Sequence, residues 1–61
     1  MRLLRRIENY MKRTGIRPTR FGREVVGDPR FVFDLRRGRQ PRWPTRTRVI
    51  AWLDRHEQEG A

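Results

Sequence analysis

Glycine and proline divide this chain more sharply than any other feature. Pro18, Pro29 and Pro41 each follow a glycine (Gly15, Gly27, Gly38) by two or three residues. A glycine that takes up a left-handed turn ends a helix, and a proline soon after cannot continue it. The 61 residues therefore fall into four short segments, and no run between them alternates with period two as a half-buried strand requires. The expected fold class is all-α: one small four-helix domain spanning residues 1–61, with helices at about 2–14, 18–26, 29–37 and 45–59.

Each segment has its own helical logic. In the first, Leu3, Leu4, Ile7, Tyr10 and Met11 recur at spacings of three and four, with Arg5, Arg6, Lys12 and Arg13 off the stripe. In the second, Pro18 suits a first turn, Phe21 and Val25 share a face, and Gly22 sits beside them. Glycine inside so short a helix costs roughly 1 kcal/mol against alanine, which points to another helix approaching closely there. Asp28 is placed to cap the third segment and Pro29 to begin it. The fourth is expected to start at a Thr45 cap and to stop before Gly60, with Val49, Ile50, Leu53 and Trp52 inward and Asp54, Glu57 and Glu59 forming an acidic end.

Sixteen basic residues against seven acidic ones leave a net charge of +9, and only one of the sixteen, Lys12, is not arginine. Such an excess points to a polyanionic partner. The inventory also excludes chemistry. With no cysteine, no serine and His56 as the sole histidine, thiol or serine nucleophiles, a Cys-ligated zinc and a two-histidine metal site are all out of reach. No enzyme activity, metal, cofactor or small-molecule substrate is expected. The opening MRLLRRIENYMKR lacks the unbroken apolar run of a signal peptide or membrane span, so the expected location is cytoplasmic and no membrane partner is foreseen.

The third segment separates into two faces. Phe31, Val32 and Leu35 share one, while Arg30, Phe33, Asp34 and Arg37 share the other at spacings of three, four and seven. Two arginines, a carboxylate and a phenylalanine make an unusual surface to leave in water. Beyond it runs a basic loop, Gly38-Arg39-Gln40-Pro41-Arg42-Trp43-Pro44, in which Trp43 either stacks on a sugar or base or, as the favoured expectation, covers one end of the core. Phe33 either stays on the exposed face or tucks under Trp43. Trp52 belongs either to the core or to an exposed patch, and His56 is expected on the surface near the last helical turn.

The stretch PTRFGREVVGDPRFVFDLRRGRQP resembles the helix-turn-helix of the lambda-repressor-like (XRE-type) family. Phe21, Gly22 and Val25 match that motif's large, small and apolar positions, and Val32 and Leu35 match its inward pair. Gly38, Arg39 and Pro41 match its closing loop. The family's turn glycine falls on Val26 here, with Gly27 following it. The resemblance implies a DNA-binding transcriptional regulator with its second motif helix in the major groove. It implies base contacts by Arg30, Phe33, Asp34 and Arg37, and phosphate contacts by Arg36, Arg39, Arg42, Arg46 and Arg48. Double-stranded DNA is then the partner, read by two copies on adjacent half-sites or together with a second transcription protein. Trp52, Leu53 and the acidic end are the expected contacts between copies. Rival readings are a protein-interaction adaptor using the same exposed aromatics, or a weakly specific nucleoid or RNA binder.

Overall fold

The computed structural model describes residues 3–59. Four helices follow in order: α1 (Leu3–Thr14), α2 (Pro18–Val26), α3 (Phe31–Arg36) and α4 (Trp43–Glu59). Arg2, Gly60 and the Glu59 side chain lie outside what is described. The α2 helix packs on α3 and α4, and α1 closes the domain against α4 and α3. Among the described residues, no helix is long and apolar enough to cross a membrane.

The stripes seen in the sequence become the core. Leu3, Ile7 and Met11 of α1 meet Phe21 and Val25 of α2, Phe31 and Val32 of α3, and Val49 and Leu53 of α4. Ile7, Phe21, Val32, Val49 and Leu53 are fully enclosed. Leu4, Leu35, Ile50 and Trp52 are half-buried around them. Leu53 thus supplies the core, which corrects its expected role in contacts between copies.

The breaks work as the glycines require. The Gly15 N–H donates to the Met11 carbonyl (2.8 Å) and its φ of 80° turns the chain away. Gly27 is left-handed at φ 73°, and its N–H returns to the Arg23 carbonyl in the simple left-handed cap. The Asp28 carboxylate then accepts the Arg30 N–H (2.9 Å), and the Phe31 N–H donates to the Asp28 carbonyl (3.2 Å). That tight turn occupies Pro29 and Arg30, so α3 begins two residues later than expected. It also ends one residue earlier. Arg37 stands outside the helix, Gly38 is left-handed at φ 96°, and the Arg39 N–H reaches back to the Asp34 carbonyl (3.0 Å).

The fourth helix is longer than the sequence reading placed it. It starts at Trp43, with the Arg46 N–H donating to the Arg42 carbonyl (2.9 Å), so Thr45 is not its cap. Pro44 then lies at the second helical position. An N–H there has no intrahelical acceptor, and a proline therefore loses nothing.

Trp43 does not cover the core. As the first residue of α4 it stays in solvent and is 75% exposed. The covering aromatic is Trp52, with its ring centroid 5.3 Å from those of both Tyr10 and Phe21 and edge-on to each, a favoured geometry for aromatic pairs. His56 lies in the last turn of α4 as expected, but half-buried there. Its ring stacks on Trp52 at 3.7 Å, and Nδ1 lies 2.9 Å from the Trp52 carbonyl oxygen.

Candidate nucleic-acid interface

Between residues 29 and 48 the chain carries seven arginines and one carboxylate. This run forms the turn into α3, α3 itself, the loop after it and the first turns of α4. All seven arginines are exposed. The sequence itself sets this excess of charge along one stretch of chain, and the fold pairs most of the acidic side chains with arginines.

The ion pairs show where the carboxylates go. Arg6 of α1 donates to both Asp54 and Glu57 of α4, with its Nε 2.8 Å from Glu57 Oε1. These contacts, the Asp54 hydrogen bond above all, push the Arg6 pKa up against a smaller opposing effect of burial. Arg20 pairs with Glu24 one turn along α2 (3.0 Å). Arg36 reaches Glu8 of α1, with Nε 3.0 Å from Oε1, and its guanidinium carbon lies 5.8 Å from the Phe33 ring centroid. Arg39 lies 3.4 Å from the Asp34 carboxylate. Arg30, Arg37, Arg42, Arg46 and Arg48 take part in no ion pair among the described residues.

The residues expected to face bases divide into two groups. Arg30 and Arg37 flank α3 in its two turns, and both keep right-handed helical backbone angles (φ −94°, ψ 0° and φ −82°, ψ −1°). Their register with Phe33 therefore extends past the formal ends of the helix. Phe33 is 41% exposed between them and is not covered by Trp43. Asp34 stands apart. Its side chain is only 26% exposed and lines an open cleft with Phe31, Leu35, Arg39, Pro41 and Arg42.

The residues expected on phosphates surround that cleft and its neighbours. A second cleft places Arg39 and Arg46 beside Leu3 and Leu4, and a third puts Arg48 beside Pro44 and Thr45. Arg39, Arg42, Arg46 and Arg48 thus gather at the α4 start. Arg36 is the exception, held toward α1 by Glu8. That partner lies 28 residues away in the chain, and no local pattern announces it. Trp43 was also missed as a surface residue. The signal was Pro44, which fits a helix at its second position and so makes Trp43 the helix's first residue.

Comparison with known protein families, with curated proteins and with solved structures finds no match to this chain. Fold and surface together define a small four-helix domain whose 29–48 stretch carries seven exposed arginines.

Proposed function

We propose that this chain is a DNA-binding transcriptional regulator in which α2, the 27–30 turn and α3 act as a helix-turn-helix. The observation that carries this reading is the stretch 29–48, with seven exposed arginines and one carboxylate on contiguous short elements. A duplex offers a regular array of phosphates to such a surface, and releasing its counterions drives binding. Support for the motif comes from Gly22. A Cβ there would stand 2.2 Å from the Asp28 carbonyl oxygen and 3.1 Å from the Phe31 Cβ, the close crossing that the sequence resemblance requires.

In this reading α3 and its flanking turns enter the major groove. Arg30 and Arg37 present planar donor forks to guanine edges, and Phe33 meets a thymine methyl. Arg42, Arg46 and Arg48 hold phosphates at the α4 start, where free backbone N–H groups add to the attraction. Asp34 orients Arg39, and Arg36 joins the phosphates when Glu8 releases it. The role is binding without catalysis. A single module of this size touches few base pairs, so sequence specificity requires a second copy or a partner protein.

The test is a titration of the chain with random-sequence duplex at low and physiological salt, followed by sequencing of fragments enriched from genomic DNA. Engaging about six phosphates gives a slope near −5 of log affinity against log salt, and an enriched motif identifies a sequence-specific regulator. Salt-insensitive or absent binding refutes the reading and favours a protein partner on the Arg30–Phe33–Arg37 face.

A further inference from the structure

Trp43 is the largest apolar side chain left in water among the described residues, at 75% exposure. It plays no part in the core. Arg42 precedes it, and Arg46 lies three residues on, the spacing that puts two side chains side by side on a helix. Pro44 follows directly, and Pro41 lies two residues before it. Proline on both sides restricts the backbone, so little freedom remains to be lost when the indole is covered.

A second copy of the chain is a poor occupant of this surface: a two-fold pairing would bring the same arginines against it, and the Asp54 and Glu57 carboxylates that a head-to-tail copy would offer are already held by Arg6. An apolar protein face would strip water from Arg42 and Arg46 without replacing it by negative charge. A sugar–phosphate backbone meets both demands. Its phosphates suit the arginines, its deoxyribose offers an apolar edge to the indole, and a phosphate oxygen can accept from Nε1–H.

Building on the DNA-binding reading above, we propose that Trp43 is a backbone-contacting residue, its ring lying along the deoxyribose of the strand that Arg42 and Arg46 grip. It adds an apolar component to binding that is indifferent to base sequence. An apolar contact releases no counterions, so it raises affinity by the same factor at every salt concentration. An arginine contact instead changes the salt slope.

The experiment measures the affinity of wild type, Trp43→Ala, Trp43→Phe and Arg46→Ala for one random-sequence duplex across a range of salt, with a thermal melt of each. The expected result is a loss of about fivefold for Trp43→Ala, equivalent to about 1 kcal/mol, with the salt slope unchanged. Trp43→Phe retains most of the affinity, and both Trp43 variants melt like wild type, as suits an exposed position. Arg46→Ala flattens the slope. Salt-dependent binding by wild type with undiminished affinity in Trp43→Ala overturns this inference and leaves the DNA-binding reading standing. Absence of duplex binding by wild type overturns both.

Discussion

Replacing Gly22 by alanine sets two known effects against each other. In an open helix the change stabilises by about 1 kcal/mol, because alanine is the better helix former. Here the new Cβ would lie 2.2 Å from the Asp28 carbonyl oxygen, whereas an ordinary carbon–oxygen contact needs roughly 3.3 Å. Something must move by about 1 Å. The obstacle is backbone, and it is anchored twice: the Asp28 carbonyl accepts the Phe31 N–H at 3.2 Å, and the Asp28 N–H donates to the Gly22 carbonyl at 3.1 Å. The Phe31 Cβ, 3.1 Å away, closes the other escape. Overpacking of this kind costs typically 1–3 kcal/mol, and so rigid a neighbour places the cost near the upper end. The net expectation for Gly22→Ala is a loss of about 2 kcal/mol, a large share of the roughly 3–9 kcal/mol available to a domain of this length. The midpoint of thermal unfolding should fall by on the order of 10 °C, followed by circular dichroism and checked by urea denaturation. A Gly22→Ala variant that melts at or above the wild-type temperature would refute the close-crossing argument and leave only helix propensity in play.

Further expectations follow from the surface. Arg30→Ala should weaken binding to a preferred site by about 1–3 kcal/mol and relax one base preference, while Arg46→Ala should weaken all sequences alike; equal behaviour of the two on specific and random DNA removes the division between base and phosphate contacts. Glu8→Gln removes the carboxylate that holds Arg36, a pair about two-fifths exposed on both sides. It should change stability by less than about 1 kcal/mol but tighten duplex binding and steepen the salt slope by about one unit, and an unchanged slope takes Arg36 off the phosphates. The raised pKa of Arg6, caused first by its hydrogen bond to Asp54, stabilises the fold at every pH below the guanidinium's ordinary value and is lost only as pH climbs through the higher folded-state value. Wild type and Arg6→Gln should therefore differ by a constant amount between neutral pH and about pH 10, with the gap shrinking as salt is added. A gap that closes on the way to pH 10 contradicts this.

The helices were largely legible because their signals are local. A left-handed glycine or a proline-led first turn needs only a few neighbours, so α1 and α2 end where the sequence places their limits. The ends of α3 and the start of α4 were misplaced for the same reason. Pro29 and Pro44 each fit more than one position near a helix start, and only backbone hydrogen bonds across the turns choose among them. The candidate site was legible as charge. Arg30, Phe33 and Arg37 share a face by spacing alone, and the structure keeps all three exposed.

By itself the sequence determined a four-helix chain with too little apolar content for more than one core and with its positive charge massed between residues 29 and 48. Periodicity and composition carry that information, and neither depends on which segments meet. Tertiary structure decided which charges remain available. Arg6 meets Asp54 and Glu57, and Arg36 meets Glu8, across separations of 28 to 51 residues. It also decided the places of the two tryptophans. Trp52 finds Tyr10 and Phe21 on α1 and α2, while Trp43 starts α4 and stays in water. Packing partners drawn from distant parts of the chain distinguish the two residues, and no local pattern does.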